Sequence, residues 1–154
     1  MLSVVKGDEF DITSNLSFKI IPYDSSDYKI AIMLRKEILR KPEEFVCQKE
    51  EINYIHVAGY LNGELCASAV LVPENDLVKM QRVVVKTALQ CRGIGSSLLK
   101  YCEEYAKEHS FTEIYCYSRL ETIPFYLKNC YQISGGTTYK NNIPHQKMIK
   151  SIRI

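Results

Sequence analysis

Val83-Val84-Val85-Lys86-Thr87-Ala88-Leu89-Gln90-Cys91-Arg92-Gly93-Ile94-Gly95-Ser96-Ser97 reads as a strand, a loop and a helix start in direct succession. The three valines have strand composition. Ile94, Leu98, Leu99, Cys102, Tyr105 and Ala106 then recur at helical spacing, which predicts a helix over 94–109 with one apolar face. The first turn of such a helix has backbone N–H groups with no intrahelical acceptor and the positive end of the helix dipole, so it can hold a phosphate. Gly93 and Gly95 put no side chain between that backbone and an anion. Ser96 adds a hydroxyl donor; Arg92 adds a charge or points to solvent. Two familiar phosphate loops do not fit. There is no G-x-x-x-x-G-K-[ST], and Leu98 stands where a third dinucleotide-fold glycine belongs.

Working outward, residues 76–85 read as the strand that feeds this loop. Asn62-Gly63 is a two-residue hairpin turn between strands at 54–60 and 64–72, the second halted by Pro73. Residues 17–23 form a first strand. Asp24-Ser25-Ser26-Asp27 offers helix caps, and Ile30, Met33, Leu34, Ile38 and Leu39 supply an apolar stripe up to Pro42. Beyond the central helix come a strand at 113–117, a short helix at 122–128 opening near Pro124, and strands around 132–139 and 145–152 separated by Asn141-Asn142. The order β-α-β-β-β-α-β-α-β-β makes a mixed α/β domain with a central sheet flanked by helices. Residues 1–16 read as an extension and 17–154 as the single domain.

The 154 residues suit one core, and 46% hydrophobic with 25% charged residues is an ordinary globular balance. A net charge of +2 announces no nucleic-acid partner. The short basic clusters, Arg35-Lys36 among them, read as solvated surface. With no signal peptide and no apolar stretch of about 20 residues, a cytoplasmic protein without a membrane partner is expected. The six cysteines form no C-x-x-C pair and read as reduced thiols, and the three scattered histidines suggest no metal site.

Gln90-x-x-Gly93-x-Gly95, five residues after Val85, resembles the pyrophosphate-binding signature of the GNAT superfamily of N-acyltransferases. Pro124-Phe125-Tyr126-Leu127-Lys128-Asn129-Cys130-Tyr131 is similar to that family's late-helix F-Y-x-x-x-G-F element, and the element order matches from about residue 17 onward. Leu34–Leu39 and Ile143-Pro144-His145 also resemble segments of a small bacterial branch of uncharacterised substrate. The resemblance implies the acyl-CoA N-acyltransferase fold, with strands splayed at a cofactor cleft, and acetyl-CoA as cosubstrate. It implies that Val83, Val84 and Val85 offer backbone groups to pantetheine and to a developing oxyanion. Gln90, Cys91, Arg92, Gly93, Ile94, Gly95 and Ser96 would cradle the diphosphate. Val83–Val85 could also be simply core.

Tyr126 matches the tyrosine that many relatives use as a general acid on the departing thiolate; packing on the sheet is its plainer role. Arg119 stands where many relatives have a cofactor-contacting asparagine, and Cys130 replaces a glycine, which suggests a different turn. Glu37, His145 and Glu121 are candidates to take the proton of the acceptor amine, each with a structural alternative. No Cys–His pairing implies an acyl-cysteine, so direct transfer in a ternary complex is preferred to ping-pong. The acceptor is a primary amine of a small molecule or protein, a homodimer through the last strands is left open, and a non-catalytic acyl-CoA-binding regulatory module is the alternative function.

Overall fold

The computed structural model describes residues 15–40 and 49–152. The elements follow in the expected order: β1 (Leu16–Ile21), α1 (Ser26–Leu39), β2 (Ile55–Leu61), β3 (Glu64–Glu74), β4 (Leu77–Val85), α2 (Ile94–Glu108), β5 (Glu113–Arg119), α3 (Ile123–Lys128), β6 (Gln132–Lys140) and β7 (Ile143–Ser151). β1 starts one residue inside the expected extension, because Leu16 pairs with Leu61. Residues 1–14 and Pro42 lie outside the described residues.

The seven strands form one sheet in the order β1-β2-β3-β4-β5-β7-β6. Asn62 and Gly63 both take positive φ (53° and 84°), the geometry that a tight β2–β3 hairpin needs. Pro73 does not halt β3. It sits opposite Val78, and the strand runs on to Glu74. A proline φ suits extended backbone, and the last rungs of a hairpin lose only one donor to it.

β4 and β5 are the sheet's parallel pair, and they touch over three rungs only: Leu77 with Glu113, Val78 with Ile114, Lys79 with Tyr115. Past Lys79 they part. The cause lies on the other edge of β4. Between the Val70–Gln81 and Ser68–Val84 pairs, β4 carries one residue more than β3, and Arg82 there takes φ 54°. Such a bulge bends its strand and raises its twist. It also shifts the side-chain phase. Val78 and Met80 are buried in the core beneath α2, and after the bulge Val83 and Val85 pack against that same core.

α2 buries Ile94, Leu98, Leu99, Cys102 and Ala106, as its period predicts. α1 departs from expectation. Ser25 caps it by accepting the Tyr28 N–H at 3.1 Å, but its buried face is Tyr28, Ala31, Leu34 and Arg35, while Ile30 and Met33 are exposed. Arg35 is therefore no surface cation. Its two guanidinium nitrogens donate to the two carboxylate oxygens of Glu51 at 3.0 and 2.8 Å, and the Tyr28 hydroxyl donates to the same carboxylate at 2.7 Å. The bidentate pair is what makes so deep a charge tolerable.

Cys130, where a glycine was the family pattern, takes φ 72°. The left-handed turn that a glycine would favour is thus kept, and the expected change of turn does not occur. The five cysteines among the described residues are all free thiols. None of the helices among the described residues is long and apolar enough to cross a membrane.

Candidate active site

A cleft of about 820 Å³ opens where β4 and β5 part. One wall is the edge of β4 from Met80 to Val85; the other is the end of β5 from Cys116 to Arg119. The loop at Gln90–Gly93 and the start of α2 close one end, and α3 with Tyr126 forms the floor. Successive backbone groups in a strand point to opposite sides. Half of those on the unpaired part of β4 therefore face the gap.

The phosphate end is built by local geometry. Gly93 is the N-cap of α2 at φ 87°, and Cys91 before it also takes positive φ, 64°. Gln90 lines the cleft, and its side-chain amide donates to the Val85 carbonyl at 2.9 Å and ties the loop to the end of β4. Gly95 has a second constraint. A Cβ there would lie 3.1 Å from Phe125 Cζ, so its bare backbone lets α2 sit against α3. Ser96 and Cys91 line the cleft, whereas Arg92 is exposed and Ile94 is buried in the core, so neither of those side chains reaches it. An L-residue in the left-handed region costs about 1–2 kcal/mol. Gly93→Ala is accordingly expected to distort this cap and weaken acetyl-CoA binding by about tenfold, read by calorimetry.

Tyr126 is 7% exposed and lies on the cleft floor. Burial raises its phenol well above the usual value, and the neighbouring Cys116 thiol raises it further. Burial also pushes Cys116 up, to about 12, so both groups stay protonated at neutral pH. Cys116 was not singled out by sequence. The β5 alternation Ile114, Cys116, Ser118, all buried, is the signal that would have placed it beside α3. Beyond it, the Ser118 and Thr122 hydroxyls lie 2.6 Å apart and both within reach of the Arg119 carbonyl, so that one donates to the other and the second to the carbonyl, which fixes the turn from β5 into α3.

Of the groups considered for the amine proton, the structure brings two to the cleft. His145 on β7 is 6% exposed and lies opposite Arg119. Its Nδ1 is 2.9 Å from the Ile143 carbonyl. A carbonyl only accepts, so Nδ1 carries the proton, and Nε2 of the neutral ring is left as an acceptor. Glu121 is exposed on the cleft rim. Glu37 is not brought there: it is exposed on α1, and Ile38 and Leu39 line the cleft instead. Among the described residues, no three His, Cys, Asp or Glu side chains assemble as a metal site.

A splayed parallel pair, a helix N-terminus at its mouth and a buried phenol beneath define an acyl-CoA N-acyltransferase fold. The chain belongs to the acetyltransferase (GNAT) family, whose sequence profile matches residues 23–130. A Xenopus tropicalis protein named "Probable N-acetyltransferase 14" is 30% identical over 103 residues, 64% of this chain and 50% of that one. The chain therefore spans about half the length of that curated relative. Two solved structures share the fold. An N-acetyltransferase candidate from Lactobacillus plantarum superposes with TM-score 0.77 at 22% identity, covering 88% of this chain and 99% of that one. An aminoglycoside 6'-N-acetyltransferase complexed with coenzyme A gives 0.74 at 19% identity, covering 88% and 97%.

Proposed function

We propose that the protein is an acetyl-CoA-dependent N-acetyltransferase that passes acetyl directly to a primary amine held in the same cleft. The observation that carries this reading is the meeting, in one 820 Å³ cleft, of the unpaired β4 edge, the N-terminus of α2 and the Tyr126 phenol. The residues fit the cosubstrate. The capped helix start suits a diphosphate, and the free strand edge suits the amide groups of a pantetheine arm. The coenzyme A bound in the aminoglycoside-modifying relative supports the same choice. The innermost lining residues, Met80, Cys116 and Tyr126, are buried core side chains, which leaves room for a short acyl group.

Acetyl-CoA supplies an acetyl group activated as a thioester. Backbone N–H groups near Val83 and Val84 are placed to stabilise negative charge growing on the carbonyl oxygen. The amine nitrogen forms the new C–N bond as the C–S bond breaks. The nitrogen loses one proton, for which His145 Nε2 is the best-placed acceptor, and Tyr126 gives one to the departing sulfur. The products are an amide and free CoA thiol. Solvent carries the proton from His145 back to Tyr126 before the next turnover, and with no acyl group passed to the protein the reading is a ternary complex and not a covalent acyl-enzyme.

Calorimetry with acetyl-CoA, followed by thiol release over a panel of amines, tests this. Binding of acetyl-CoA well above that of adenosine nucleotides, with thiol released only when an amine is present, is the expected result. Binding without release for any amine would instead leave a CoA-binding regulatory module.

A further inference from the structure

α3 is six residues long, and a helix that short does not hold its own place in water. Its position comes from what grips its two ends. The entry is fixed by the Ser118–Thr122 turn. The exit is gripped by a polar cluster of Glu103 on α2, Tyr131 just before β6, and Lys150 on β7. None of the three lines the cleft.

The Glu103 carboxylate divides its two oxygens. Oε2 accepts the Tyr131 hydroxyl at 2.9 Å, and Oε1 accepts Lys150 Nζ at 2.8 Å. The same ammonium donates to the Asn129 carbonyl at 3.1 Å and lies 5.5 Å from the centre of the Tyr131 ring. Both ends of the turn Asn129-Cys130-Tyr131 are thus tied to α2 through one side chain. The turn needs tying, because Cys130 at its middle takes φ 72°, a conformation that disfavours an L-residue. It also leads straight back to Tyr126. The Asn129 and Tyr131 N–H groups both donate to the Tyr126 carbonyl, each at 3.0 Å, and the Tyr131 ring meets the Tyr126 ring edge-on with centres 5.5 Å apart.

We propose that Glu103 is a positioning residue for the Tyr126 acid: through Tyr131 and Lys150 it fixes the turn after α3 and so holds the phenol where the thiolate departs. The inference rests on the transferase reading above and deepens it; Glu103 itself touches no reacting atom.

Placement of an acid is demanding, since a displacement of about 1 Å can cost 10²-fold in rate. Apolar packing around the Tyr126 ring is not directional, whereas the hydrogen bonds of the cluster are. Burial first, and the Glu103 charge second, push the Tyr131 phenol far above its usual value, so it remains a donor. Lys150 keeps 26% of its side chain exposed, and a pair so open to water adds little to global stability. Its effect falls on geometry.

The test is a double-mutant cycle on thiol release, run with the amine that the parent turns over best. Glu103→Ala should lower kcat about tenfold, with acetyl-CoA affinity by calorimetry within about threefold of the parent. In a Tyr126→Phe background the same change should cost less than about twofold, because the group it positions is gone. Glu103→Gln, whose one carbonyl oxygen still accepts the Tyr131 hydroxyl, should restore most of the rate. Tyr131→Phe keeps the ring and removes only the hydroxyl; it serves if Glu103→Ala folds poorly and should show the same dependence on Tyr126. Ring resonances of isotope-labelled tyrosine read the same point without turnover. The Tyr126 signal, assigned by its loss in Tyr126→Phe, should shift in Glu103→Ala and return in Glu103→Gln. An equal loss of kcat with and without the Tyr126 hydroxyl, or parent-like kcat in both Glu103→Ala and Tyr131→Phe, overturns the proposal and leaves the transferase reading standing. Absence of thiol release by the parent with every amine counts against the transferase reading. The Tyr126 signal then decides whether Glu103 sets that ring's place, and an unmoved signal overturns it.

Discussion

Tyr126→Phe is expected to lower kcat by about 10²-fold while leaving the affinity for acetyl-CoA within a few-fold of the parent. A positioned general acid contributes roughly 10²–10⁴ to rate, and the phenol is the group on the cleft floor whose proton is secured. Burial first, and the Cys116 neighbour second, hold it neutral far into alkali. The sign of the pH dependence follows. The rate should rise with pH as the acceptor amine loses its proton, near ~10.4 for a free alkyl amine. It should show no fall from loss of the Tyr126 proton over that span, because that group's own titration lies above the ordinary phenol value. The ring itself stays packed in the variant, in edge contact with Phe125 and Tyr131. Loss of the hydroxyl beside Cys116 changes stability by only about 1 kcal/mol. An acyl donor whose thiol is more acidic needs less help in leaving, so the defect should shrink with such a donor. A phenylalanine variant that turns over within about threefold of the parent, with every donor, would sink the assignment.

Where a reading depended on neighbours in sequence, the residues carried it. The step from 83–85 through Gly93 into α2, the Asn62-Gly63 turn and the buried stripe of α2 are all short-range patterns, and each recurs in the structure. Long-range pairings behaved otherwise. Arg35 looks like half of a surface basic cluster until Glu51, sixteen residues on, is set against it. That pairing turns α1 so that Ile30 and Met33 face outward, and it carries Glu37 away from the cleft while Ile38 and Leu39 face it. The splay of β4 depends on a bulge defined by the register against β3, which no local pattern at Arg82 announces. Gly95 shows the two kinds of signal together. Its place in the loop suggests room for an anion, and its contact with Phe125, thirty residues later, shows a packing need of equal force. The tyrosine proposed as the acid was legible only through the resemblance. An aromatic at helical spacing has no chemistry of its own until Cys116 and the unpaired strand edge are beside it.

Glu51→Gln should be the most damaging single change away from the cleft, costing about 3–5 kcal/mol of stability, because it removes the buried carboxylate that accepts both guanidinium nitrogens of Arg35. Both side chains are about 1% exposed, so water cannot replace the lost partner. Burial by itself would raise the Glu51 carboxyl. The hydrogen bonds from Arg35 and Tyr28 and the Arg35 charge outweigh it and hold the group below the ordinary carboxylate range. A depressed carboxyl stabilises the fold above its unfolded value, near ~4.3, and that contribution is lost as pH falls through the folded one. His56 adds to the same acid limb. Its Nε2 donates to the Glu51 carbonyl at 2.7 Å, and burial lowers its pKa, so the unfolded chain binds a proton there, from about pH 6.5 downward, that the folded one resists. Denaturant melts of the parent from pH 8 to 4 should therefore show falling stability, and Glu51→Gln should be less stable throughout with a shallower slope below ~4.5. The double change Arg35→Met with Glu51→Met should recover most of the loss, short of about 1 kcal/mol for the Tyr28 hydroxyl left without its acceptor. Function is tied to the same clamp. It fixes the last turn of α1, whose Ile38 and Leu39 form part of the cleft wall. At a temperature where Glu51→Gln remains folded, its acceptor KM should rise while Tyr126-dependent leaving-group sensitivity stays as in the parent. A Glu51→Gln protein as stable as the parent would mean that the Arg35 charge finds another partner, and that the clamp does not set the position of α1.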